Sequence, residues 1–235
     1  MLKRVITLFI SILPLLGVVA QGEDWLLECY LAGDMPCWRA VINPTDYRLS
    51  DPEKQAFLIN ALYGYIPATF KQDKTQAKKD LQRLEELIVN QGGALSTADS
   101  LAYTSAAQAY VCMLYHLKAL AYAPRAFKNA ERAVAAAPDN AIVLSVAANI
   151  YFYCPSLFGG DKKEALRLYL KAEKIMETNS EYQTLWNYPA IMLCIAQCYD
   201  HLGQKDKAIA QCEKALALFP DFKYIKDSYL PYLRQ

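Results

Sequence analysis

Apolar and polar positions alternate with a helical period through most of the chain. The clearest stretch runs from Pro189 to Pro220. Counting Pro189 as position 1, Met192, Ile195, Ala196 and Tyr199 fall at positions 4, 7, 8 and 11, on one helix face. Gly203 at position 15 marks a helix end. Ala208, Cys212 and Ala215 at positions 20, 24 and 27 form a second apolar stripe, which Pro220 at position 32 closes. The pair reads as two antiparallel helices, a first (A) and a second (B). Ala196, Ala208 and Ala215 let the two backbones approach, and larger neighbours fill the facing holes.

The same spacing recurs upstream. Ala126, Ala130, Ala133 and Pro138 repeat the B-helix pattern, preceded by a looser A helix around Tyr110 to Leu120. Ala141 opens a third unit with Leu144, Ala147, Ala148 and Tyr151 in the A-helix slots. Its B-helix residues Ala165, Tyr169 and Ala172 keep their mutual spacing but arrive five residues late, so an insertion falls within CPSLFGGD, Cys154 to Asp161. A weaker fourth unit spans Leu58 to Gln91, with Ala77, Leu81 and Leu84 in the B-helix slots. Ser50 to Glu53 reads as a capping box with Pro52 in the first turn, and Gly92 with Gly93 ends the unit. Asp24 to Ile42 reads as a short hairpin turning at Gly33 and Asp34, and Asp221 to Leu233 as a capping helix with Lys223, Lys226 and Asp227 outward. Residues 92–106 and 180–188 either lengthen A helices or connect units. The expectation is an all-α superhelix of four to five stacked hairpins, curved, with one concave face.

This pattern resembles the tetratricopeptide repeat (TPR), a helix–turn–helix unit with a period of about 34 residues. The resemblance covers roughly residues 50–233 and is strongest over 189–220. The stretches FGGDKKEALRLYLKAEKIME, NYPAIMLCIAQCYDHLGQ and FPDFKYIKDSYLP are similar to exported TPR proteins of Bacteroidota-type bacteria. The FGGD insertion also resembles the periplasmic T-component of TRAP transport systems. The TPR likeness implies that positions 2, 5, 9, 12 and 13 of each A helix line the concave groove. Those positions hold Gln108, Val111, Tyr115 and Lys118 in one unit, Ser145, Asn149, Phe152 and Tyr153 in the next, and Leu193, Gln197, Asp200 and His201 in the last. Amides and tyrosines suit a peptide backbone or a polar small molecule. The plainer alternative is solvated surface, or a face covered by the extra segments. Lys118 is the one cation in these slots, so a carboxylate-clamp groove is not expected.

The N-terminus carries a different pattern. Lys3 and Arg4 precede an apolar run from Val5 to Val19, interrupted by Pro14 and Gly17, and Ala20 stands before Gln21 and Gly22. This reads as a signal peptide, residues 1–20, cleaved after Ala20, with the helical-repeat domain at 21–235 and the protein periplasmic or secreted. The run falls short of the ~20 residues a spanning helix needs. Losing Lys3 and Arg4 leaves 23 basic against 24 acidic side chains, a net charge of −1. That balance argues against nucleic acid as a partner.

Within the insertion, Pro155 ends the A helix, Leu157 and Phe158 plug the widened turn, and Gly159 and Gly160 allow positive φ or close backbone approach. Asp161 with Glu164 makes a capping box. The same loop also stands where a binding loop would project beside the groove. Cys29 and Cys37 lie four residues either side of Gly33, placed for a disulfide if the hairpin forms in an oxidising compartment. Cys112, Cys154, Cys194, Cys198 and Cys212 read as small buried hydrophobes; Cys194 and Cys198, at i and i+4, are spaced as a metal pair would be but face packing rather than the groove. Lys71, Lys74, Lys78, Lys79 and Arg83 read as a solvated helix face, with a basic docking patch as the minority reading. His116 and His201 lack partners at metal spacing, and no catalytic constellation, metal site or cofactor motif appears. The expectation is a non-enzymatic module that binds a protein or peptide in its groove. The alternative is a small-molecule-binding accessory of a transport system, with a pocket lined by Tyr115, Phe152 and Tyr153.

Overall fold

A computed structural model describes residues 16–43 and 51–235, and their regular structure is helical throughout. Most of the expected signal segment, residues 1–15, lies outside the described residues. Five hairpins follow one another: α1 (Leu16–Ala32) with α2 (Met35–Ile42), α3 (Pro52–Thr69) with α4 (Lys74–Val89), α5 (Thr97–Leu114) with α6 (Ala119–Ala136), α7 (Ala141–Tyr153) with α8 (Lys162–Thr178), and α9 (Asn187–His201) with α10 (Lys205–Leu218). A π-helical stretch, Ile225–Tyr229, runs into the short α11 (Leu230–Leu233). It buries Phe222, Ile225, Tyr229 and Leu233 and leaves Lys223, Lys226 and Asp227 exposed, so the array ends on a polar face.

The small residues read as helix contacts are all at closest packing. Ala133, Ala165, Ala172, Ala196, Ala208 and Ala215 are each 0% exposed, as are Tyr169, Met192 and Cys212. Each B helix packs against its own A helix and against the next one, while α3 with α5 and α5 with α7 meet as neighbouring A helices. The A helices therefore form an inner layer and the B helices an outer one.

Several ends differ from the sequence expectation. Asp51, not Ser50, caps α3, accepting from the backbone N–H groups of Glu53 (3.1 Å) and Lys54 (3.5 Å), and Ser50 lies outside the described residues. Residues 97–106 lengthen α5 at its start, and the helix stops at Leu114, so the expected A helix reaching Leu120 is cut short. Tyr115 is its C-cap, and His116–Lys118 form a single 3₁₀ turn into α6. Residues 180–182 form another 3₁₀ turn. The basic face of α4 is only partly solvated. Arg83 donates to the Ile42 carbonyl at 2.7 Å, and the Lys78 ammonium lies 4.8 Å from the Tyr115 ring centre. One further cross-tie is a buried carboxylate: Arg39 Nη1 donates to both oxygens of Asp80 (2.8 and 2.7 Å) and holds α2 to α4.

Cys29 and Cys37 are joined by a disulfide across the α1–α2 turn, with Cα atoms 5.6 Å apart. In the insertion, Gly159 takes φ +99°, and a Cβ on Gly160 would sit 1.8 Å from the Cys154 carbonyl oxygen. Both glycines are therefore required by the turn. Asp161 caps α8 through Lys163 N (2.8 Å) and Glu164 N (3.2 Å). The reciprocal half of the capping box does not form, because Glu164 turns to Arg167 instead (2.6 and 2.8 Å).

Ala215 tests the packing register. Ala215→Leu forces a branched side chain into the fully buried α9–α10 crossing and is expected to cost about 1–3 kcal/mol. Thermal or denaturant melting of the purified chain reads this directly, and an unchanged midpoint would show that the crossing lies elsewhere.

Candidate functional site

The inner layer is where side chains from distant repeats meet. Tyr63 on α3 accepts a hydrogen bond from Asn149 Nδ2 on α7, and the hydroxyl of Tyr169 on α8 donates to Asn149 Oδ1. Asn60 on α3 and Asn187 at the start of α9 exchange amide hydrogen bonds of 2.9 and 3.0 Å. In a straight stack with ~9 Å between axes, α3 and α7 would stand two helix diameters apart. These bonds require the array to curl with its A helices inside. Tyr103 donates to Asn60 Oδ1 at 3.3 Å and Tyr110 donates to the Tyr63 carbonyl at 2.7 Å, so α5 joins the same set.

Much of the concave face is thereby filled from within. Trp186, just before α9, packs against Trp38 (ring centres 5.1 Å apart), Tyr30 (5.7 Å) and Tyr63 (5.9 Å). Tyr30 also meets Phe222 at 5.4 Å, which joins the first hairpin to the C-terminal segment. The Trp38 indole N–H donates to the Ala61 carbonyl at 3.2 Å. Here the reading of a face covered by extra segments holds for the centre of the groove.

The residues named from the TPR likeness divide accordingly. Gln108 faces α6, where it accepts from Asn129 Nδ2 at 3.2 Å, and Val111 is buried. Tyr115 and Lys118 sit in the turn beyond α5, the ammonium 4.8 Å from the ring centre, and not on an A helix at all. Ser145 is buried and donates to the Ile142 carbonyl at 2.8 Å. Asn149 is held between Tyr63 and Tyr169, so its amide is a structural bridge. Phe152 is buried, edge-on to Tyr153 and to His201, with the Lys162 ammonium 4.2 Å from its ring centre. Asp200 accepts from the Tyr229 hydroxyl at 3.3 Å and faces the C-terminal segment. Leu193 is half-buried in the second core cluster. In the insertion, Leu157 is exposed rather than plugging the turn, Pro155 is exposed as well, and Phe158 and Gly160 are half-buried. The pocket expected from Tyr115, Phe152 and Tyr153 does not assemble: Tyr115 packs on the first core cluster, and Phe152 belongs to the second.

Of the expected groove residues on α7 and α9, Tyr153 and His201 stay exposed and Gln197 half-buried, and this end of the inner face is its mouth. Tyr153 is 66% exposed, with its hydroxyl against Cys194. Cys194 beside it, then burial, then Tyr30 and Tyr63 push its phenol well above the usual range. Gln197 is half-buried and His201 exposed on the same helix. Cys194 is a member that sequence spacing missed. It is half-buried at this mouth, burial pushes its thiol up to about 11, and the hydroxyls of Tyr169 and Tyr153 reach it. Cys198 and Cys212, by contrast, are fully buried. Among the described residues no group of three or more His, Cys, Asp or Glu is placed to hold a metal ion, and no helix is long and apolar enough to cross a membrane. The mouth offers hydrogen-bonding groups beside flat aromatic area.

Residues 189–222 match the tetratricopeptide repeat family. No curated protein matches the chain. The chain thus carries a tetratricopeptide repeat inside an all-helical, TPR-like array, and that repeat suggests a protein-interaction module.

The buried phenols make stability depend on pH. Burial raises Tyr63, Tyr103, Tyr110 and Tyr169, with the Asn149 hydrogen bond partly opposing this at Tyr63. Their folded values lie above the unfolded value of ~10, so their contribution is complete below that pH and is lost as pH rises past it. Titration followed at 295 nm and by circular dichroism should show these phenols ionising only as helix is lost. Ionisation of all 17 tyrosines with helicity intact would contradict the closed inner face.

Proposed function

We propose that the chain is an exported, non-enzymatic interaction module that grips a protein or peptide segment at the mouth formed by Tyr153, Gln197 and His201. The observation that carries this reading is Tyr153, an aromatic side chain left 66% open within an otherwise self-filled concave face. A large ring held by its neighbours loses little entropy when a partner covers it, and its hydroxyl can pair with a peptide group. Gln197 and His201 add an amide and an imidazole on the next A helix, enough to orient an extended backbone without a net charge requirement. The envelope location rests on the N-terminal pattern of Lys3, Arg4 and the apolar run, together with the Cys29–Cys37 pairing, which an oxidising compartment would maintain.

A photo-crosslinking amino acid at position 153, with position 170 on the outer layer as control, tests the reading in cells. A discrete adduct is expected from 153 and none from 170. Replacing Gln197 and His201 by alanine should weaken the adduct roughly tenfold, the scale of one interface hot spot. The purified chain should begin at Gln21 by intact mass. Equal adducts from both positions, or none from 153, would remove the mouth as the binding site, and a mass retaining residues 1–20 would remove the export reading.

A further inference from the structure

The edge of the array where each A helix turns into its B helix has a character the inner face does not share. Of the four most exposed large hydrophobic residues among those described, three lie there: Leu117 at 100%, Leu157 at 88% and Leu120 at 77%. The fourth, Val89, lies at the end of α4 on the opposite edge. Single exposed apolar residues need no explanation, but a group on adjoining turns does. The turns do adjoin. Lys78 of α4 lies over Tyr115 of the α5–α6 turn. Gly159 of the α7–α8 turn would place a Cβ 3.3 Å from the Phe127 ring of α6.

The same edge is basic. Lys74, Lys118 and Lys163 are all exposed beside the leucines. Two of the acids there are turned onto helix N-termini, Asp73 accepting from Gln76 N at 2.8 Å and Asp161 capping α8, and Glu164 is paired with Arg167. The opposite turns instead carry Asp99, Asp139 and Glu181. A chain whose formal net charge is only +1 thus sets exposed lysines around its exposed leucines.

We infer that this edge docks on an anionic lipid surface, with Leu117, Leu120 and Leu157 inserted among the headgroups and Lys74, Lys118 and Lys163 lying against the phosphates. Apolar tips that protrude from separate turns, with lysines around them, match an interfacial layer, where apolar insertion and attraction to anionic headgroups act together. Docked this way, the array stands on its edge, with Tyr153 and His201, at the ends of α7 and α9, close to the lipid.

Co-sedimentation of the disulfide-bonded protein lacking residues 1–20 tests this. The vesicles are phosphatidylcholine with or without roughly 30 mol % phosphatidylglycerol. Binding to the anionic vesicles is expected, with much less to neutral ones, and it should fall as salt rises. Leu117→Ser with Leu157→Ser, and separately Lys118→Glu with Lys163→Glu, should each reduce partitioning at least about tenfold. Val89→Ser on the opposite edge should leave it unchanged. These side chains are exposed, and an unaltered circular dichroism melt shows that the variants stay folded. Absence of binding, equal binding to neutral vesicles, or insensitivity to the leucine pair overturns the inference.

Discussion

Helix α3 can meet Trp186 only because residue 64 has no side chain. A Cβ there would lie 2.6 Å from Trp186 Cη2 and 2.8 Å from Trp38 Cζ2, well inside the closest approach real Cβ atoms make. The obstructing atoms belong to two buried indoles, not to the free ends of flexible chains. Through this gap α3 packs on Trp186 and Trp38 within the first core cluster. Trp186 lies in the first cluster just ahead of α9, whose side chains build the second, and Tyr30 touches both. A repeat array normally interacts only between neighbours. This one adds a contact between its second and fifth hairpins, and that contact turns a stack into a closed curl.

The polar side chains of the inner face follow from that closure. Once α3, α7 and α9 converge, their tyrosines and asparagines leave water, and each buried polar group left without a partner would cost about 1–3 kcal/mol. Asn149 meets the requirement by accepting from one phenol and donating to another. Asn60 and Asn187 meet it by pairing with each other. These bonds add little net stability compared with apolar packing, but a curl of different radius would leave them unmatched. They therefore fix how tightly the array closes, and so how large a mouth remains at Tyr153.

The local features of the fold were legible in the sequence, and the distant ones were not. Ala208, Cys212 and Ala215, or Ala126, Ala130 and Ala133, show themselves by spacing because each packs on a helix close by in the chain. Capping by Asp161 was legible for the same reason. The Tyr63–Asn149 and Asn60–Asn187 bonds join residues 86 and 127 positions apart, and no periodicity reports such a pairing. Placing Tyr115 and Lys118 on an A helix failed because α5 starts ten residues before the unit and ends correspondingly early. Cys194 was assigned to packing by its repeat position. A regular open groove would have kept it there, whereas the tight curl brings it beside Tyr153 and Tyr169. Gly64 gave no signal at all, since a lone glycine within an apolar helix has no pattern to mark it.

Closure through Gly64 is tested by the stability of Gly64→Ala. Alanine is favoured over glycine in a helix interior by about 1 kcal/mol, so without the indole contact the change should stabilise the chain. With it, overpacking against two fixed rings costs about 1–3 kcal/mol and opposes that gain. The melting midpoint of Gly64→Ala is therefore expected to fall, with amide hydrogen exchange accelerated in both α3 and residues 186–190. A raised midpoint with unchanged exchange in those two segments would contradict it.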